Sequence, residues 1–170
     1  MHFSFRVLLI NKTSSSVAAA DVGVGHPGTD SSKFTSDDLR RWSTGFYAYL
    51  QEHLEEANKS IGGCECGACG APRIVAFTGK RQFVELLNAD LKALGLKKKV
   101  SKIDLGRQEL VPKRWPFPKE TQVWVLTSTS GASALTNEAR ILPYSQLSKE
   151  LERFSWPMKP EDIITCNKIR

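Results

Sequence analysis

The chain has 170 residues, with 24 Lys and Arg against 18 Asp and Glu, a net charge of +6 and four cysteines. Hydrophobic residues make up 41% and charged residues 25%, which excludes a disordered or collagen-like chain and suits one domain with its own core. No apolar run approaches the roughly 20 residues that span a bilayer, so no membrane is expected among the partners; the basic balance favours a polyanion such as nucleic acid.

The opening MHFSFRVLLINKT has neither the length nor the cleavage pattern of a secretory leader. Within it, Arg6–Ile10 (RVLLI) is a compact apolar run that predicts a buried strand starting almost at the first residue. The next stretch, NKTSSSVAAADVGVGHPGTDSSKF, is rich in Ser, Gly and Ala and reads as loop. Thr35 and Ser36 before Asp37 and Asp38 predict a helix start, because a hydroxyl cap and early acids suit orphan N–H groups and the dipole. Leu39, Trp42, Phe46, Leu50, Leu54 and Ala57 then recur at helical spacing and form a core face.

Gly62 to Ala71 is a Gly/Cys loop containing GGCECGACGA, with Cys64, Cys66 and Cys69 close together and Cys166 far off. Such crowding is a poor disulfide framework, and a reducing, intracellular compartment is expected. The C-x-C-x-x-C spacing reads as a mobile reduced loop. A zinc ion would need a fourth ligand from a distance, such as Cys166 or His53.

Arg73–Phe77 (RIVAF) predicts a second strand, followed by the tight turn TGK. Phe83, Leu86, Leu87, Leu91 and Leu94 predict a helix closed near Gly95. KKKVSKIDLG (97–106) predicts a short edge strand guarded by lysines, and VPKRWPFPKE (111–120) a proline-broken loop. Gln122–Leu126 (QVWVL) is the last strand, and its tip TSTSGAS contains only small residues. Pro143 is placed in the first turn of a helix carrying Tyr144, Leu147, Leu151 and Phe154, and the chain beyond Trp156 reads as a loose tail.

Alternating strands and helices predict an α/β fold: a three-layer α/β/α domain over residues 1–156 with a mainly parallel sheet, followed by a tail over 157–170. Sites in such sheets lie beyond the C-terminal strand ends. Three polar tips therefore belong on one rim: Asn11–Ser16, Thr78–Arg81 and Thr127–Ser133. A Walker loop would need Gly and Ser/Thr where Ile74 and Arg81 stand, so nucleotide hydrolysis is rejected. A Gly-Lys-Arg turn at a helix start can still hold a phosphate, though it also suits an ordinary turn with surface cations. The small tip suits either a sugar-phosphate backbone or a simple helix-capping turn. His2, His26, His53, Asp21 and Asp30 show no nucleophile–base spacing.

PRIVAFTGKRQF (72–83) and VWVLTSTSGASALTNEAR (123–140), with the helix PYSQLSKELERF after them and RVLLINKTSSS before, resemble the mismatch-specific uracil/thymine DNA glycosylases of the uracil-DNA glycosylase superfamily. The likeness covers most of residues 6–155. It implies a nuclear enzyme of base-excision repair that acts as a monomer on double-stranded DNA with G·U or G·T mismatches. The enzyme hydrolyses the N-glycosidic bond after the base has left the stack and needs no cofactor. By position, Ser128, Thr129, Ser130, Gly131, Ala132 and Ser133 become the loop gripping DNA beside the flipped nucleotide. Gly79 and Lys80 match the turn near the backbone, and Asn11 falls at the tip that helps line the base pocket.

Three departures follow from the same comparison. Thr127 stands where the family has proline. Small Ala132 stands at the wedge position, which leaves the filling of the gap to a neighbour such as Ser133 or Leu135, or leaves it weak. The third is larger: the G-x-N-P-like motif whose Asn or Asp positions the attacking water is absent, and no catalytic residue is assigned. The strand that carries that motif lies in the family between those corresponding to RVLLI and RIVAF. Its absence suggests that Met1 is a late start and that residues 1–170 release little or no base; direct pairing of the two flanking strands would reshape the pocket. A non-catalytic nucleic-acid-binding relative and an unrelated nucleotide-binding α/β enzyme are the alternatives.

Overall fold

The computed structural model describes residues 7–11, 36–60, 64–66, 68–89, 91, 99–128 and 135–154. Its elements in chain order are β1 (Val7–Asn11), α1 (Ser36–Ser60), β2 (Ile74–Thr78), α2 (Lys80–Ala89), β3 (Gly106–Gln108), β4 (Gln122–Leu126) and α3 (Asn137–Leu151). Strands β1 and β2 each run one residue later than their apolar stretches suggest, so both finish on a polar residue, Asn11 and Thr78.

Among the described residues the sheet has four strands in the order β1-β2-β4-β3. β1 and β2 pair in parallel over Val7↔Ile74 to Asn11↔Thr78, and β2 and β4 in parallel over Ile74↔Gln122 to Thr78↔Leu126. β3 joins antiparallel at the far edge, Gly106 opposite Val125. The two strands that the resemblance would set apart thus bond directly to each other, β1 lying at the edge of the described sheet.

Period-2 alternation divides the sheet's side chains between two cores. Val75, Phe77, Val123 and Val125 face α1 and α2, meeting Phe46, Leu50, Leu54, Phe83 and Leu86. Ile74, Ala76, Trp124 and Leu126 face α3 through Leu147, with Tyr144, Leu151 and Phe154 packed alongside. Helices on both faces make the fold a mixed, mainly parallel α/β architecture, as the alternation of elements implies. The α1 face Trp42, Phe46, Leu50, Leu54, Ala57 lies inward, while Leu39's side chain and Thr35, expected as part of the helix start, lie outside the described residues.

Two local expectations are corrected. Residues 99–105 are not strand; the edge strand is Gly106–Gln108. The cause is Asn88, whose amide donates to Val100 O at 2.8 Å and accepts from Val100 N–H at 2.9 Å. That pair binds the segment to α2 and occupies the groups a ladder would use. The second correction concerns α3, which begins six residues before Pro143. Thr136 caps it, accepting from Ala139 N–H, and Glu138 sits in the first turn. Pro143 is inside the helix and buried, and Phe154 follows the helix end. The proline-broken loop is a loop, as expected, and it also builds core. Phe117 is buried, and Trp115 stacks edge-on to it at 5.4 Å and against Phe77 at 6.1 Å. Arg114 spans the loop and α1, donating to Ser43 Oγ at 3.1 Å with its guanidinium 4.5 Å over the Tyr47 ring. Leu91 lies in a turn beyond α2; Leu94, Gly95 and the tail over 157–170 lie outside the described residues. Among the described residues no helix is long and apolar enough to cross a membrane.

Candidate nucleic-acid interface

The ends of three parallel strands form the rim. Register places Asn11 opposite Thr78 and Thr78 opposite Leu126, so β1, β2 and β4 finish level with one another. The chain leaves β2 through Gly79, whose φ of +127° is strained for any residue with a side chain. Gly79 N–H donates to Leu126 O at 3.0 Å, extending the β2–β4 ladder by one bond into the turn. Lys80 then opens α2 directly. A Cβ on Gly79 would stand 3.9 Å from Ser128 Cβ, so the turn after β2 and the tip after β4 are neighbours.

The charge at this corner is positive. Lys80 and Arg81 are exposed, and the first turn of α2 carries no acid to oppose them or the N-terminal end of the helix dipole. An anionic oxygen placed here would meet the N-terminal end of a helix and two cations together.

Thr127 is buried and held twice by α3. Its hydroxyl donates to Arg140 O at 2.8 Å, and its carbonyl accepts from Tyr144 OH at 2.8 Å. Arg140 and Tyr144 are four apart and share a helix face. That spacing was readable in the sequence, yet nothing in the sequence singles Thr127 out as its target. At the other end of β4, Gln122 Nε2 donates to Glu150 Oε1 at 2.6 Å, and Glu150 pairs with Arg153 at 3.0 Å. α3 therefore runs antiparallel to β4, fastened at both ends. Tyr144→Phe removes one of these fastenings and should lower stability by about 1 kcal/mol, read as a fall in the urea midpoint with an unchanged slope.

Of the residues assigned to the interface, the structure thus brings Asn11, Gly79, Lys80 and Ser128 to one end of the sheet. Thr129, Ser130, Gly131, Ala132 and Ser133, together with the side chain of Asn11, lie outside the described residues.

The cysteine loop is a separate feature at the C-terminal end of α1. Cys64 Sγ donates to Cys66 Sγ at 3.1 Å, and Cys66 and Cys69 Sγ are 3.3 Å apart. The Cys64 thiol, then the backbone N–H of Ala68, then the Cys69 thiol pull the exposed Cys66 thiol down to about 6. His53, considered from the sequence as a distant fourth ligand, is not in this group; its ring stacks on Tyr49 at 5.9 Å.

Comparison of the chain with protein-family models gives no match, and comparison with curated proteins gives none either.

Proposed function

We propose that this chain is a DNA glycosylase-like protein of base-excision repair, engaging uracil or thymine mispaired with guanine in duplex DNA. The observation that carries this reading is the level rim: Asn11, the Gly79–Lys80 turn and Ser128 share one end of the sheet beside a basic helix start. The resemblance of PRIVAFTGKRQF and VWVLTSTSGASALTNEAR to the mismatch-specific glycosylases supplies the substrate class. In that reading Lys80 and the α2 N–H groups hold a backbone phosphate, while residues 128–133 bear on the strand beside the flipped nucleotide.

Direct β1–β2 pairing favours binding without hydrolysis, because Asn11 stands next to Thr78 where the family interposes the strand that carries its water-positioning group. We therefore expect residues 1–170 to bind duplexes containing G·U or G·T and to generate no measurable abasic product. Labelled G·U, G·T and G·C duplexes test this by mobility shift and by alkali-induced strand cleavage. Strand cleavage would give the chain back its hydrolytic role. Absence of DNA binding at low salt, with retained mononucleotide binding, would replace the proposal with a nucleotide-binding enzyme. Lys80→Ala should weaken binding to all three duplexes alike and reduce the slope of log K against log salt by about 1, the signature of one lost phosphate contact.

A further inference from the structure

We propose that Cys64, Cys66 and Cys69 form a binding site for one thiophilic cation, with Zn²⁺ as the ion it takes. The three Sγ atoms all lie within 4.8 Å of one another. In a tetrahedral zinc site with Zn–S bonds of about 2.3 Å, neighbouring sulfurs stand about 3.8 Å apart. The observed separations of 3.1 and 3.3 Å need open by only about half an ångström to meet that spacing. A disulfide is the rival use of such thiols, but it joins two sulfurs at about 2.05 Å and gives no reason for a third to converge. A cation seated between the three sulfurs would take the place of the S–H contacts that now join them, and an all-sulfur donor set selects a soft one.

The loop is also built to hold that arrangement. Asn58, on the last turn of α1, donates from Nδ2 to Cys64 O at 2.8 Å. Its Oδ1 is buried with no hydrogen-bond partner among the described residues. Ala71 N–H closes the turn on Ala68 O at 3.2 Å, and Gly70, at φ +81°, passes so close to α1 that a Cβ there would stand 2.9 Å from Ala57 O. Cys69 is fully buried and Cys66 exposed. Side chains on a pinned loop supply three ligands without the ordering cost that an open chain would bear on binding.

The test uses the full chain, reduced and stripped with a chelator, then titrated with Zn²⁺ against a chromophoric competitor. One Zn²⁺ per chain is expected. Co²⁺ in its place should give the intense near-ultraviolet absorption of thiolate-to-metal charge transfer. Bound Zn²⁺ should also shield the peptide containing all three cysteines from alkylation. Cys66→Ser changes an exposed side chain and should keep the far-ultraviolet circular dichroism while weakening Zn²⁺ binding more than about tenfold. The proposal is overturned by absence of stoichiometric Zn²⁺, by unchanged affinity in Cys66→Ser, or by a disulfide within the loop that Zn²⁺ does not prevent from forming.

Discussion

Phe77→Ala is expected to destabilise the protein by about 3–5 kcal/mol, the range for deleting a buried aromatic side chain. Phe77 is fully buried, and its ring meets Phe83 at 5.0 Å, Trp115 at 6.1 Å and Phe46 at 6.2 Å. Those three neighbours belong to α2, the 111–120 loop and α1, so one ring joins every layer on that side of the sheet to the strand carrying the rim. Surrounding side chains cannot all collapse toward one strand position, which places the cost in the upper part of the range. A domain of this size has about 5–15 kcal/mol in total, so the variant should lose a third or more of its urea midpoint at unchanged slope. Phe77→Leu, which keeps much of the volume, should lose clearly less. A loss under about 1 kcal/mol for the alanine variant would mean that the three elements do not converge on this ring.

Gly70→Ala is expected to cost more than about 2 kcal/mol, because two penalties coincide. A side chain at φ +81° is strained, and the new methyl would meet the Ala57 carbonyl, a backbone group inside α1 that cannot swing aside. Gly79→Ala is the internal control. Its φ of +127° is also one that a side chain strains, but the methyl would meet only Ser128 Cβ at 3.9 Å, an ordinary contact. Urea denaturation of both variants should therefore rank Gly70→Ala as the more damaging. Equal losses would show that backbone strain alone matters and that the cysteine loop is not seated on α1.

The parts of this fold that were legible in the sequence are those encoded locally. RIVAF and QVWVL are apolar over consecutive residues because both faces of a central strand are covered, and the α1 and α2 faces repeat at helical spacing because each has one inner side. The level rim was legible too, since a parallel strand order carries its tips to one end. What escaped depends on contacts distant in the chain. Direct β1–β2 pairing is a choice of partner that neither strand's composition encodes. The start of α3 was misplaced because Pro143 suits a first turn, yet Thr136 and Glu138 cap a helix whose interior tolerates that proline at a buried position. The displaced edge strand follows from Asn88 reaching Val100, and the packing of Trp115 and Phe117 from a loop whose prolines speak only of its irregularity. Convergence of the three thiols depends on Gly70 and Asn58 fastening the loop to α1, which spacing alone does not reveal.

Thr127 has a wider consequence. With its hydroxyl and its carbonyl both tied to α3, it works as a fixed pivot between β4 and whatever follows. Load applied beyond the end of β4 would pass at Thr127 into α3 before it reached the sheet. The sheet is thus braced at this corner by a helix as well as by its own ladder.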